Sequence, residues 1–339
     1  MSRVWPAVIM GLVVVLVSCA SSGNPTPPSP GTTTALTGPV VVHTDVDLDD
    51  AMAIMMMLRA DVNVIAIAVA GNGVARPKYG VPNAQGLVAL AEAEDIPISY
   101  GADRSLLPSG EFPKAWRDLS TDLGGVSIPD ATKPPDSRSA AALISDSISG
   151  SNEPVTVVGL APATDLAIAL RDDPEIVDNI NAIFLTQSGR VNSPDAPKLP
   201  VSQLINWNTY IDALATAIIV ESGANVTFVS SNADRSDPIK KMPIRELQQV
   251  GNPYAEFVAN EATALRNAGR AFFWDPTTTA VAMQPSVCTD MVRKPTRVVL
   301  RGGNRFGLRV VEPGWREVDI CLEADFEQFQ KVMLDSLSE

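Results

Sequence analysis

The apolar runs of this chain are continuous rather than alternating, and a helical pattern follows most of them. "PVVVHT" leads into "DDAMAIMMMLRA", "VNVIAIAVAG" leads into "PNAQGLVALAEAE", and "IPISYGA" makes a short third strand. A less regular stretch over 103–138, rich in Pro, Gly and Asp, reads as loops and short turns. The rhythm then resumes: "SAAALISDSIS" as helix, "PVTVVGL" as strand, "TDLAIALRDD" as helix, "NAIFLTQ" as strand, "TYIDALATAIIVES" as helix and "NVTFVS" as strand. Helices are expected over 253–268 and 326–337, and "TRVVLRGG", "FGLRVVE" and "REVDICL" read as antiparallel strands near the end. A strand with no polar face has to be covered on both sides. The pattern therefore predicts an α/β fold, a mostly parallel open sheet with helices on both faces. Ligands of such sheets bind at the carboxyl ends of the strands.

Residues 39–339 are expected to form this one domain. What precedes them has another character. Residues 7–17, "AVIMGLVVVLV", are an uncharged apolar run after one basic residue. The run is shorter than the ~20 residues of a spanning helix and has the size of a signal-peptide core. It leads into "LVSC", which resembles a bacterial lipobox and implies cleavage after residue 18 and lipidation of Cys19. Residues 20–38 are small, polar and proline-rich, so they read as a disordered tether. The expected location is the cell envelope, lipid-anchored to the outer face of the membrane. With 339 residues and a net charge of −13, the chain has no electrostatic footprint for nucleic acid. Anionic lipid would repel it too, so the membrane link is expected through the lipid alone. Cys288 and Cys321 are compatible with one disulfide or with two buried thiols.

The segment "HTDVDLDD" falls at the end of the first strand and holds Asp45, Asp47, Asp49 and Asp50. One or two of these carboxylates can cap or favour a helix start. Four exceed that need, and Asp45 comes too early to cap. A hard cation with oxygen ligands resolves the repulsion, and Ca²⁺ suits several carboxylates and carbonyls. An EF-hand is excluded, because counting from Asp45 places Asp50 at the glycine position and Met56 at the glutamate position. A dehalogenase-type phosphatase would use Asp45 in a DxD as nucleophile, and would want Thr or Val where Leu48 stands. No Gly-rich phosphate loop is present.

The acidic turn, the following "VIAIAVAGN" and three later blocks resemble the inosine–uridine-preferring nucleoside hydrolases. The later blocks are "VVGLAPATDLAIAL", "NWNTYIDALA" and "FFWDPTTTA", and the matched blocks span about 40–279. The resemblance implies a Ca²⁺ held by Asp45, Asp50, the main-chain carbonyl of Thr164, and Asp275. It implies hydrolysis of the N-glycosidic bond of a ribonucleoside, with Asp45 as general base on a metal-activated water. Asp49, Asn72, Asn206 and Asn208 would hold the ribose, and the family often forms homo-oligomers.

Several positions depart from the family pattern. His43 replaces its first aspartate, Val46-Asp47 its Pro-Gly, and Asn206 a glutamate. Trp274 stands where many members place a histidine that could protonate the leaving base. Trp274 can stack on a base or pack in the core. Asp47 is expected to face solvent or to add an outer contact to the site. The alternative function is a nucleoside- or sugar-binding lipoprotein that kept the Ca²⁺ and lost turnover.

Overall fold

The structure, a computed structural model, describes residues 36–107, 110–187, 206–231, 233, 242–270, 273–298, 300, 308–310 and 316–338. The signal segment, Cys19 and most of the tether lie outside them. The strands are β1 (Val40–Thr44), β2 (Val64–Val69), β3 (Ile98–Tyr100), β4 (Val155–Gly159), β5 (Ile180–Leu185), β6 (Val226–Val229), β7 (Cys288–Val298), β8 (Leu308–Val310) and β9 (Glu317–Ala324). They form one sheet in the order β3-β2-β1-β4-β5-β6-β9-β7-β8.

β1 is buried along its whole length because both sheet faces are covered. Val40 and Val42 point into the core shared with α1 (Leu48–Arg59) and the helices Pro253–Asn267, Trp274–Met283 and Phe326–Ser338. Val41 points to the other core, shared with the helices Ala140–Ser149, Thr164–Asp172 and Ala213–Glu221. Each such side chain contributes about 1.5–3 kcal/mol of burial. α1 is buried on nearly all sides, from Leu48 through Met57, as an all-round apolar helix must be.

The chain runs outward from β1 through β2 to β3, then returns to β4 on the other flank of β1 and runs outward again. The carboxyl ends of β1 and β4 therefore diverge into loops on opposite sides, and a crevice opens between them. That topology decides where the acidic turn can meet residues from the second half of the chain.

Four expectations are corrected. The last strands are not simply antiparallel: β9 lies parallel to β6, and only its pairing with β7, and that of β7 with β8, is antiparallel. The β7 strand also begins at Cys288, eight residues before the expected run, and a Cys288–Cys321 disulfide ties it to β9. The second helix spans Pro77–Leu90, with Pro77 in its first turn and Pro82 inside it. Proline opens helices well, so the pattern alone did not distinguish the two. The helix expected over "TYIDALATAIIVES" is two, Trp207–Ile211 and Ala213–Glu221, parted at Asp212. Asp212 leaves helical geometry to cap the second, accepting from the Ala215 N–H at 3.1 Å. Trp274–Met283 is a helix that the pattern did not separate from its surroundings.

Candidate active site

The turn after β1 is built from its own carboxylates. Asp50 accepts from the Thr44 hydroxyl at 2.5 Å and from the backbone N–H groups of Asp45 and Asp47 at 3.1 and 3.2 Å. Asp47 caps α1, accepting from Leu48 N–H at 2.8 Å, and with Asp50 forms a capping box. Val46, between them, has φ 51°, a strained value for a buried β-branched residue. Asp45 leaves the strand end and accepts from Val74 N–H at 2.8 Å. Gly73 allows that approach: a Cβ there would lie 2.0 Å from the Asp45 Cβ.

These groups open into a cleft at the β1/β4 crevice. It is lined by Asp45, Asp47, Asp49, Asp50 and Asp275, by Asn206 and Asn208, and by an aromatic wall of Phe112, Trp116, Trp207 and Trp274. The helix Trp274–Met283 brings Asp275 into it from 225 positions further along the chain than Asp50. Arg270 enters as well, pairing with both oxygens of Asp47 at 2.9 and 2.6 Å. Its guanidinium lies 4.5 Å above the Trp116 ring and 4.0 Å from Asp49.

Five carboxylates in one buried cleft disfavour one another's charge. Burial, then Asp50 and Asp47, hold the Asp45 carboxyl well above the usual carboxylate range. Burial and Asp47 push Asp49 up to about 8, with Arg270 opposing. Burial raises Asp50, although the Thr44 hydroxyl draws it back. Asp275 is raised well above its usual value by burial, Asp50 and Asp49. Burial works against the charge on Arg270, and Asp47 more than compensates, holding its pKa above the ordinary value.

The same crowding is what a cation relieves. Asp49, Asp50 and Asp275 offer oxygens within 4.8 Å of one another. The Oδ1 atom of Asp275 is buried without a hydrogen-bond partner. An all-oxygen set with an orphaned buried carboxylate oxygen fits a hard divalent metal ion.

Of the residues expected in the site, Asp45, Asp49, Asp50, Asp275, Asn206, Asn208 and Trp274 line the cleft together. Thr164 does not. Its hydroxyl accepts from Asn72 Nδ2 at 2.8 Å and donates to Asp212 at 2.7 Å, beside the cleft. The β4 turn instead brings Leu160 to the lining, and Leu160 O accepts from Asn208 Nδ2 at 2.7 Å. Asn72 is also displaced, bonding Ser105 and Thr164 and lining a neighbouring cavity. Asp49, expected on the sugar, stands among the metal-capable carboxylates. Asp47 does not face solvent: it is 3% exposed and held by Ser120, Leu48 and Arg270. Asp275 lies in the first turn of its helix, whose N-cap is Phe273. His43 is fully buried within β1, and Nε2 lies 3.5 Å from Asp165 rather than at the cleft.

Arg270, Trp116, Trp207 and Phe112 were not read from the sequence. Phe112 and Trp116 lie in the long irregular stretch 103–138. A connection of that length in a compact domain signals function, and its aromatic residues were the available clue.

A doubly flanked parallel sheet with a metal-capable carboxylate cleft at its switch point is an α/β architecture that binds its ligand at the carboxyl ends of the strands. Residues 40–331 match the inosine-uridine preferring nucleoside hydrolase family. The chain belongs to that family, whose members are hydrolases acting on N-glycosyl compounds. The pyrimidine-specific ribonucleoside hydrolase RihA of Salmonella paratyphi A is 24% identical over 282 residues, covering 81% of this chain and 88% of the relative. Among solved structures, a plant nucleoside hydrolase (PpNRh1) is similar at TM-score 0.73 and 23% identity, covering 88% of this chain and 98% of its own. An inosine-guanosine nucleoside hydrolase matches at TM-score 0.73 and 22% identity with the same coverage. A purine-preferring ribonucleoside hydrolase from Gardnerella vaginalis matches at 0.71 and 21%, covering 89% and 98%.

Proposed function

We propose that this protein hydrolyses the N-glycosidic bond of ribonucleosides, releasing ribose and the free base, with Ca²⁺ as its resident ion. The observation that carries this reading is the buried cluster of Asp45, Asp49, Asp50 and Asp275, whose carboxylates crowd one another and among which Asp275 Oδ1 has no hydrogen-bond partner. Ca²⁺ fits better than Mg²⁺ because it accepts an irregular set of several carboxylates and carbonyls.

When bound, the ion supplies positive charge to the cleft and acidifies the attacking water. Val74 N–H fixes one oxygen of Asp45, leaving the other to take the proton of that water as general base. The water oxygen bonds to C1′ as the bond from C1′ to the base nitrogen breaks, and the electron pair leaves with the base. The transition state has oxocarbenium character, as in other glycoside cleavages. Attack from the carboxylate side predicts inversion at C1′. Asn206 and Asn208 supply amides for ribose hydroxyls.

Trp274 stands 6.5 Å from Trp116, ring centroid to centroid, on the wall where the base would lie. Stacking there would favour departure of the base in place of an acid histidine. The cleft has about 30 Å³ of open volume, room for an ion or a water and far below what a small-molecule site needs. Substrate entry therefore requires the aromatic wall to part.

The purified domain with a nucleoside panel, with and without chelator, tests this. Reducing sugar released only with the metal supports it; tight binding without release assigns the protein to binding instead. Export and lipid anchoring at Cys19 stand as part of the proposal. The Cys288–Cys321 disulfide supports an oxidising compartment, and loss of membrane attachment in Cys19→Ala tests the anchor.

A further inference from the structure

Among the described residues that line the acidic cleft, Arg270 is the one cation. The backbone sets its place. The helix Pro253–Asn267 ends in a left-handed turn at Gly269, φ 69°. Gly269 N–H donates to Arg266 O at 3.1 Å, and Arg270 N–H to Leu265 O at 2.9 Å. These two bonds close the helix as a Schellman motif, and glycine is what permits the turn. Arg270 is the first residue past it. Its side chain is 10% exposed, so the guanidinium is held in the cleft and not in solvent.

A buried arginine paired with an aspartate often serves the fold alone. This pair has two features that such a role does not require. Asp47 is already provided for, by Leu48 N–H at the start of α1 and by the Ser120 hydroxyl. Its carboxylate does not need a cation to be hydrogen-bonded, and a buried ion pair is a weak source of stability. The pairing also uses only two of the five guanidinium N–H groups, one on each terminal nitrogen. The group lies 4.5 Å over the Trp116 ring, on the aromatic wall that faces the base. The cleft thus has two poles, the carboxylates of Asp45, Asp50 and Asp275 and the guanidinium of Arg270.

Cleavage of an N-glycosidic bond leaves the electron pair on the base. Trp274 offers that base a ring face and no transferable proton. Arginine gives no proton either, because it stays charged, but its fixed donors act on charge that develops in the transition state.

We propose that Arg270 binds the departing base and stabilises the negative charge that develops on it, with Asp47 as the positioning residue that fixes the guanidinium plane. The inference rests on the glycosidic reading of the cleft. The water oxygen bonds to C1′ and its proton goes to Asp45. The bond from C1′ to the base nitrogen breaks, and the base leaves as an anion held by guanidinium N–H groups. On release the anion takes a proton from solvent, and Asp45 returns its own to solvent.

The test compares two substrates in the wild type and in Arg270→Met. One is a nucleoside, whose base is a poor leaving group. The other is 4-nitrophenyl riboside, whose phenolate carries its own charge well. On the nucleoside, kcat and kcat/KM should fall together by ~10²–10³-fold, and on the nitrophenyl riboside by at least about tenfold less. The ratio of the two rates within one preparation does not depend on the folded fraction, so a stability loss cannot imitate it. Arg270→Lys keeps a charge without the planar fork. It should show the same bias at smaller size, and it carries the test if the methionine variant does not fold. Equal losses on the two substrates, or nucleoside hydrolysis that survives in Arg270→Met, overturn the proposal and leave the glycosidic reading standing. A wild type that cleaves neither substrate overturns the glycosidic reading, and the role of Arg270 falls with it.

Discussion

Two buried aspartates, Asp212 and Asp275, show how the same side chain serves opposite ends in this fold. Asp212 is fully buried and surrounded by donors: Leu106 N–H and the Thr164 hydroxyl at 2.7 Å, Ala215 N–H at 3.1 Å, and Leu107 N–H at 3.4 Å. Its charge is dissolved in the protein's own dipoles, and it stitches the 103–107 segment to the β4 turn. Asp275 is 5% exposed and has a buried oxygen with no donor, among carboxylates that repel it. The difference teaches that burial of a carboxylate is no sign of function. What marks the cleft is burial left uncompensated, which an added cation and substrate must complete.

Removing the base should have the largest effect. Asp45→Ala should lower kcat by about 10²–10⁴, read as release of reducing sugar, while the metal-free thermal midpoint holds or rises because a repelling carboxylate is gone. Activity retained in that variant would end the assignment. Asp212→Ala should do the reverse. It should cost about 3 kcal/mol in urea unfolding, because several buried donors lose their acceptor. A stability loss as large from Asp275→Ala would erase the contrast.

Arg270→Met comes next, at about 2 kcal/mol of stability. It leaves Asp47 without its cation, although Ser120 and the α1 N-terminus still serve that carboxylate. Folding measured by urea titration, with and without Ca²⁺, should show part of this loss.

The last effect is graded with pH rather than set by a single substitution. A carboxyl whose folded pKa is raised stabilises the fold fully below its unfolded value, and that contribution is lost as pH rises through the folded value. For Asp49 the window runs from 3.8 to about 8, and Asp45, Asp50 and Asp275 shift in the same direction. The metal-free protein should therefore lose stability as pH rises across that window, by up to about 1.4 kcal/mol per pH unit for each proton released. Saturating metal should flatten the slope. A metal-free protein that gains stability with pH there would refute the crowding.

The parallel strands β1 to β6 were legible because most declare themselves locally, as a run of Val, Ile and Ala followed by a helix, whereas the start of β7 carries no such run. Asp45, Asp50 and Asp275 were legible for a different reason. They lie in blocks that resemble a family, and three of those blocks end at the same edge of the sheet. The Asp47–Arg270 pair was not legible, because it joins residues 223 positions apart with no pattern at Arg270 that announces a partner. Thr164 and Leu160 show a finer limit. They are four residues apart on the turn after β4, and only the path of that turn decides which of them lines the cleft. Asn72 was misplaced for the same reason: its amide is drawn to Ser105 and Thr164 across the crevice.

The Cys288–Cys321 bridge closes a covalent ring through the last third of the sheet. A single protease cut anywhere between residues 289 and 320 would open that ring without releasing either piece. The strand β9 and the helix Phe326–Ser338, which packs against α1, would remain attached beneath the cleft. For a protein read as exported, the bridge thus makes the terminal segment tolerant of nicking. A clipped sample would run as one band on a denaturing gel until a reductant separated it into two.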